Sequence, residues 1–395
     1  MWTTNPPLNL IRYLFAIRVN SSLVRLPRFP SLEFSLVLGS MMTERLSSRQ
    51  ARPWRKALQP WQGYEGEILS LPTNLLSSPQ QNQPQQNQRS NQRKNQQNQG
   101  NHSSPVPEIV WPLDLVIHVY PGKLLYGKGE PILWEMKLFG RDADHRLFLE
   151  QLLPAVEEAG ITRDQRWKQP AKLWGNFDIE SISVAHGLHW EPLVEAGQIN
   201  FQAFPTPMQW AEELPFTQNA EKPLSKLTWL TPFVFEQVSS DSAGSNRSDQ
   251  KKSGRQGNQQ NNRSRQRRFN PPTIDTILAA TAQQLSRSIP IWQAKPGSGP
   301  LGGGSGNTIP DDKKGDAKRV EEALETWQAV RQRAKKIRVL RNELQKPPRY
   351  WPGQGVGEQQ FDLIPPELEP YLMLASILHV GQYRHFGCGT FMLTV

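Results

Sequence analysis

The stretch ILHVGQYRHFGCGTFMLTV, residues 377–395, decides which fold the sequence predicts. Three glycines, two histidines, one arginine and the only cysteine of the chain crowd into it. Apolar residues recur at helical spacing over 367–379, and residues 390–395 have the apolar character of a strand. The pattern predicts a helix, a glycine-rich loop and a terminal strand.

The predicted loop has the chemistry of a nucleic-acid contact. Its glycines permit positive φ and remove side chains that would hold a ligand away, and glycine-exposed amides can cradle a phosphate. An arginine pairs with phosphate through two hydrogen bonds, and aromatic rings stack on bases. The residues predicted to contact RNA here are Gly381, Tyr383, Arg384, Phe386, Gly387 and Gly389. A glycine-rich hairpin that only turns the chain is the alternative.

Upstream of this stretch, strand and helix patterns alternate. Alternating apolar residues predict strands over 113–120, 131–140, 172–184 and 227–238, and helical periodicity predicts helices over 147–159, 272–289 and 317–344. The sequence lacks the strict signature of parallel βαβ units. The predicted class is therefore α+β, with helices on one face of antiparallel sheets.

Low-complexity tracts interrupt these elements. Residues 80–104 are rich in Gln and Asn, residues 239–270 in Ser, Asn, Gln and Arg, and residues 296–315 in Gly and Ser. Such tracts bury too little apolar surface to offset their ordering entropy, so we predict disordered insertions. They account for an overall apolar share of only 36%.

Charge and cysteine content narrow the function classes. Lys and Arg exceed Asp and Glu by 46 to 36, and a net charge of +10 favours a polyanionic partner. The lone cysteine, Cys388, excludes an internal disulfide or a cysteine-based zinc site and agrees with a cytoplasmic protein. The apolar segment 8–19 contains Arg12 and Arg18 and is too short for a membrane span, so we read it as a strand.

The segment LHVGQYRHFGCGTFML, within 377–395, resembles the C-terminal glycine-rich motif of the RAMP superfamily. More specifically, it is similar to the CRISPR repeat-processing endoribonucleases, whose chains end in LHVGK, a few residues, then FGLG and a strand. Five further blocks resemble that family in the same order: PVPEIVWPLDL, WEMKLFG, LLPAVEEAG, LTWLTPFVF and TIDTILAATAQQLSRSIPIW. Together they cover about residues 105–293 and 320–395. Gln382 stands where the family commonly has lysine.

The resemblance implies two ferredoxin-like, RRM-type modules with antiparallel sheets. The expected division is an N-terminal segment 1–79 that forms part of the first module, the insertion 80–104, a first module 105–220 and a second module 221–395. The implied activity is metal-independent cleavage of CRISPR precursor RNA within its repeats, in antiviral defence and without a cofactor. The implied partners are CRISPR repeat RNA and subunits of a CRISPR effector complex, with no membrane.

Cleavage of this kind needs groups that move protons and groups that hold phosphate. The 2′-OH attacks, a base takes its proton and an acid protonates the leaving oxygen, and histidine suits both tasks. Among seven histidines, His385 and His379 lie in or beside the predicted loop and are the catalytic candidates. His118 reads as a core or edge histidine, His145 as a solvated turn residue, and His186 with His189 as a loop pair.

A basic cluster within the predicted helix 317–344 completes the candidate site. The residues predicted to hold RNA phosphates are Arg331, Lys335, Lys336 and Arg338. Two alternatives remain open: a non-catalytic RNA-binding protein of the same fold, and an unrelated protein whose Gln/Asn-rich tracts drive assembly.

Overall fold

The structure is a computed structural model that describes residues 9–61, 111–120, 122–187, 189–203, 205, 224–235, 271–288, 325–347 and 351–394. The three insertions predicted to be disordered lie outside these ranges.

Within the described ranges, the first module contains eight strands: β1 (Leu10–Val19), β2 (Leu23–Arg25), β3 (Leu115–Val119), β4 (Leu125–Gly127), β5 (Pro131–Phe139), β6 (Phe177–His186), β7 (His189–Glu195) and β8 (Gln198–Ile199). Its α-helices are α1 (Pro30–Arg45), α2 (Ser48–Leu58) and α3 (Leu153–Ile161). A helical turn, His145–Leu147, and a π-helical segment, Phe148–Leu152, lead into α3, and 3₁₀ turns occupy Gln59–Trp61 and Gly140–Asp142.

Six of these strands form one antiparallel sheet in the order β3-β5-β1-β6-β7-β8, while β2 pairs with β4. The chain order β1-α1-β3-β5-α3-β6 combined with the spatial order β3-β5-β1-β6 is the ferredoxin-like arrangement. The N-terminal strand β1 is central in this sheet, because it pairs with both β5 and β6.

The second module repeats the arrangement. Its elements are β9 (Leu224–Phe233), α4 (Ile274–Ser288), α5 (325–334), β10 (Val339–Gln345), β11 (Gly355–Ile364), α6 (Glu369–Leu378) and β12 (Phe391–Thr394). The antiparallel sheet has the order β10-β11-β9-β12. The predicted α+β class with two ferredoxin-like modules is therefore confirmed.

Side-chain alternation explains why the central strands form. On β5, Ile132, Trp134, Met136 and Leu138 are all buried, as their period-two spacing predicts. On β1, Tyr13 and Phe15 point into the same core, where Phe15 stacks on Trp134 with ring centroids 4.1 Å apart. Burial of these large rings is a principal source of the module's stability.

The predicted helix 317–344 is wrong in its second half. Helix α5 ends at residue 334, and residues 339–345 form the edge strand β10, paired with β11. Trp327, Val330 and Ala334 are buried at helical spacing, as predicted. β10 is exposed along most of its length, so neither of its faces needs the alternating apolar residues that identify a strand. Its pairing with β11 overrides the local helix propensity.

A buried ionic network connects the modules. Arg12 Nε lies 2.5 Å and Lys137 Nζ 3.5 Å from the carboxylate of Glu135, and Lys137 also donates to the carbonyl of Ile377 at 2.8 Å. Burial alone would raise the pKa of Glu135, but the charges of Arg12 and Lys137 outweigh it and lower that pKa to about 2. Glu135 is therefore ionised and fully compensated inside the protein.

Candidate nucleic-acid interface

The glycine-rich segment between α6 and β12, residues 379–390, is here called the closing loop. Gly381, Gly387 and Gly389 all have positive φ, between 74° and 94°. A Cβ on Gly389 would overlap the carbonyl oxygen of Val380, and a Cβ on either of the other two would overlap a carbonyl oxygen elsewhere in the chain. The close approach of the protein's own carbonyls and the positive φ therefore account for these glycines, and their predicted contact with RNA stays a prediction.

Two glycine amides of the closing loop are likewise used within the protein. Gly389 N–H donates to the carbonyl of Pro232 at 2.9 Å, and Gly387 N–H donates to the carbonyl of Arg384 at 2.7 Å. A phosphate cradle built from these two amides would require both hydrogen bonds to break. The predicted phosphate contact of these two amides therefore stays a prediction that competes with existing hydrogen bonds.

His385 is buried, whereas the sequence predicts an exposed loop at this position. Its side chain is 8% exposed and stacks on Trp111 with ring centroids 4.8 Å apart and an angle of 11° between the planes. Burial, with a smaller effect of the Arg384 charge, lowers the pKa of His385 to about 3. In this buried position the uncharged form of the ring is favoured.

His379 is buried as well and has a positive φ of 58°. Its Nδ1 lies 3.2 Å from the carbonyl oxygen of Gly387. Burial and the nearby charge of Lys137 hold the pKa of His379 well below its usual range. The Nε2 atoms of His379 and His385 are buried without a hydrogen-bond partner among the described residues.

The remaining predicted loop residues differ in accessibility. Phe386 is buried and packs edge-on against Trp61, with centroids 4.9 Å apart, so it cannot stack on a base. Arg384 forms an ion pair with Asp114 and lies over the Phe139 ring, while its Nη1 is buried without a hydrogen-bond partner in the described chain. Tyr383 is half-buried, with a positive φ of 57°.

A cavity of about 410 Å³, here called the loop cavity, opens between the two modules at the closing loop. Its polar lining includes Arg141, Gln283, Gln382, Tyr383 and Arg384. Two arginines are offset by Asp114 and Asp142, so the lining has little net charge. The combination of amides, an aromatic ring and balanced charge suits a nucleobase edge and face better than a bare phosphate.

An aromatic cluster fixes α2 against the closing loop. Trp111 contacts Trp54 of α2 edge-on, with centroids 5.3 Å apart, and also contacts His385 and Phe386. The indole of Trp61, which follows α2, packs on Phe386. Trp111, which also lines the loop cavity, therefore connects the buried face of α2 to that cavity.

The outer surface of α2, opposite its buried face, is strongly cationic, and the sequence analysis did not predict it. Arg49, Arg52 and Lys56 recur at helical spacing opposite the buried Trp54. Together with Arg55 they are exposed and have no ion-pair partner among the described residues; these four cations are called the basic face. The amphipathic period of SRQARPWRKAL is the feature of the sequence that reveals it.

The predicted cations of 331–338 separate into two groups. Arg331 pairs with Asp275 at 2.8 Å and is committed to packing α5 against α4. Lys335, Lys336 and Arg338 are exposed in the turn between α5 and β10, and their side chains have no ion-pair partner in the described chain. These three form a short basic turn rather than the predicted helical stripe.

The histidines that were not catalytic candidates also lie in environments that differ from the predicted ones. His145 is buried, and its Nδ1 lies 3.0 Å from the Tyr13 hydroxyl, so the expected solvated turn is wrong. His186 and His189 face each other across the β6–β7 ladder and are not in a loop. Among the residues that the structure describes, no group of three metal-binding side chains forms a site.

Comparison with known proteins gives structural likenesses only. No protein-family model and no curated protein matches the chain. Two solved chains, titled as a partial Cas6-RT-Cas1–Cas2 complex and a Cas6-RT-Cas1–Cas2 complex, are each 11% identical with TM-score 0.45, and both alignments cover 98% of this chain. This chain spans 46% and 29% of their lengths. A third, titled as a Cas6 product complex, is 10% identical with TM-score 0.36 over 98% of this chain and 100% of that one.

The described helices do not include a membrane-crossing one, since each is too short or too polar.

Proposed function

We propose that the chain binds CRISPR repeat RNA, with the basic face holding phosphates and the loop cavity receiving a base. The observation that carries the proposal is the basic face itself, four exposed cations without described acidic partners. Cations that neutralise phosphates release counterions, and this release drives association. The resemblance of residues 377–395 to the repeat-processing family supplies the kind of RNA.

The loop cavity provides the sequence-reading part of the proposed interface. The Tyr383 ring offers a stacking surface, and the amides of Gln283 and Gln382 offer donors and acceptors to a base edge. Its low net charge leaves phosphate binding to cationic surfaces outside it. Single-stranded RNA bound there would place its backbone toward Arg141, whose side chain is 86% exposed.

Metal-independent cleavage by His385 and His379 is the second candidate function. One observation favours it: His385 lines the loop cavity beside Arg384, and its Nε2 has no hydrogen-bond partner in the described chain. In that reaction a histidine takes the 2′-OH proton, the second protonates the leaving oxygen, and Arg384 stabilises the phosphorane. The stack on Trp111 must open before the His385 ring reaches RNA.

Fluorescence anisotropy with labelled repeat RNA over a salt series tests the binding proposal. The slope of log affinity against log salt is negative. The triple variant Arg49→Gln, Arg52→Gln, Lys56→Gln should reduce its magnitude by about 2, since each lost phosphate contact removes about 0.7. The matched control replaces Arg18, Arg146 and Lys226, three cations already paired with acids, by glutamine. Equal slopes for the basic-face variant and the wild-type protein would refute the proposal.

A cleavage assay separates the two candidate functions. The protein is incubated with repeat RNA in EDTA, and the products are analysed for a cyclic phosphate end. EDTA-resistant cleavage that the double variant His379→Ala, His385→Ala abolishes identifies the endoribonuclease. Tight binding with intact RNA identifies a binding protein.

A further inference from the structure

Strand β10 lies at one end of the second sheet and forms an open edge. Within the described ranges it pairs with β11 alone. The strand is exposed except at Val339 and Leu344, which pack against the core of the module. An edge strand presents N–H and C=O groups that act as a template for a further strand. β10 therefore offers its outer side to a partner that can extend the sheet.

The exposed face of β10 carries two opposite charges two residues apart. Arg341 Nη2 lies 2.5 Å from Glu343 Oε1, so the two side chains point to the same face of the strand. Their partners on β11 are Gln360 and Glu358, and neither of these is buried. The side chains of Arg341 and Glu343 are 71% and 48% exposed, so both remain accessible to charges on an approaching strand.

This order of charges is complementary to itself. When a second copy of β10 runs antiparallel with Asn342 opposite Asn342, Arg341 of each copy lies opposite Glu343 of the other. Residues directly opposite in an antiparallel pair have Cβ atoms about 4.5–5.5 Å apart and their opposite charges attract. Each positive charge then has one negative neighbour along its own strand and another across the interface. The arrangement has two-fold symmetry, the commonest symmetry of dimers of identical chains.

The same two charges act against other partners and other registers. Charged side chains on an edge strand oppose indiscriminate pairing, because most partner strands leave them without a countercharge. A register with Arg341 opposite Arg341, or with Glu343 opposite Glu343, sets like charges against each other and is destabilised. The charges therefore favour a second copy of this chain in the register centred on Asn342.

We infer that β10 is a dimerisation edge, at which two copies of the chain join their second sheets into one continuous antiparallel sheet. Leu340, which is 64% exposed, adds apolar surface to this edge. One pair of strands is smaller than a standard protein interface of about 1,600 Å², so the dimer is weak and reversible. This inference does not depend on RNA binding at the basic face or the loop cavity.

Sedimentation velocity of the full chain over a concentration series measures the dimer. The expected result is a reversible monomer–dimer equilibrium. Arg341→Glu should raise the dimer dissociation constant by about tenfold or more, because the two-fold interface repeats the change and sets four carboxylates against one another. A wild-type protein that stays monomeric at every concentration, or an unchanged dissociation constant in Arg341→Glu, would overturn the inference.

A charge-swapped variant separates the interface from a general effect of charge. The double variant Arg341→Glu, Glu343→Arg restores opposite charges across the two-fold axis, so its dissociation constant should return to within about threefold of wild type. Lys226→Glu is the matched control, because it breaks an exposed pair with Glu358 on the same sheet but lies on β9, away from the edge. That control should stay within about twofold of wild type. Failure of the swap to restore dimerisation, or equal weakening by the control, would contradict the inferred register. Circular dichroism checks that all variants fold.

A cross-linking experiment locates the interface directly. In the inferred register the two Asn342 Cα atoms lie about 4.5–5.5 Å apart, a separation that suits a disulfide. Asn342→Cys should therefore link two copies in oxidised glutathione, whereas the chain's own Cys388 is buried. Gln360→Cys, an exposed position on the inner strand β11, is the control and should remain monomeric on a non-reducing gel. Equal cross-linking of both variants, or none in Asn342→Cys, would overturn the inference. The experiment contains no RNA, so failure of the RNA-binding proposal would leave it intact.

Discussion

The imidazole of His385 stacks on the indole of Trp111, with ring centroids 4.8 Å apart and planes 11° from parallel. His385 belongs to the closing loop of the second module, whereas Trp111 lies just before β3 of the first module. The stack therefore helps to join the modules and excludes water from the histidine. A histidine whose residue type suggested acid–base chemistry therefore has a packing role in this structure.

Gly389→Ala should destabilise the protein by about 2–5 kcal/mol. The alanine Cβ would overlap the carbonyl oxygen of Val380, and the positive φ adds further strain. Gly197→Ala is the matched control, because Gly197 also has a positive φ but no atom lies within 4 Å of the position that its Cβ would take. That control should cost only about 1–2 kcal/mol. Urea unfolding measures both, and equal losses would contradict the packing role of Gly389.

His385→Gln should flatten the acid limb of the stability profile. The folded protein holds the pKa of His385 at about 3, against an ordinary value of 6.5, so the unfolded chain binds more protons between these values. Stability should therefore be lost as pH falls below about 6.5, by at most about 1.4 kcal/mol per pH unit for one histidine. Unfolding from pH 7 to pH 4 measures the slope. An exposed histidine variant, His189→Gln, should retain the wild-type slope, and an unchanged slope in His385→Gln would contradict the burial of that ring.

Glu135→Gln should be far more damaging than removal of an exposed acid. The substitution removes the carboxylate that Arg12 and Lys137 share inside the protein, which costs about 3–5 kcal/mol. Glu180→Gln breaks an exposed pair with Arg18 and should cost at most about 1 kcal/mol. Denaturant midpoints of the two variants provide the measurement, and similar midpoints would show that the network is not essential to folding.

The basic turn should contribute to RNA affinity without supporting the fold. Replacing Lys335, Lys336 and Arg338 by glutamine should lower the salt slope of RNA binding by up to about 2 and leave the unfolding free energy nearly unchanged. Arg331→Gln should leave the salt slope nearly unchanged and lower the unfolding free energy, because it breaks the pair with Asp275. Anisotropy titrations and thermal unfolding of both variants test this division of roles. A slope change in Arg331→Gln alone would reverse the assignment.

Prediction from sequence succeeded where the spacing of apolar residues reflects which side chains are buried. It failed where a strand forms by hydrogen bonding to a strand distant in the sequence. The alternation on β5 identified its buried face correctly, since every second side chain enters one core. The helix predicted through residue 344 failed, because β10 gains its backbone hydrogen bonds from β11 rather than from its own neighbours. The amphipathic period of α2 is present in the sequence but was not predicted, and the basic face lies outside the blocks that resemble a known family.

The sequence by itself indicated the α+β class and most of the element types, because apolar periodicity is a local property of the chain, while the two modules were expected from the family resemblance alone. Only the tertiary structure decided that His385 is buried and that the loop glycines fit against the protein's own carbonyls. Those properties depend on groups distant in the chain, such as Trp111 and Val234, whose approach no local pattern encodes. The burial and the charge of a site depend on the side chains and backbone groups that pack against it, and the whole fold determines which groups those are.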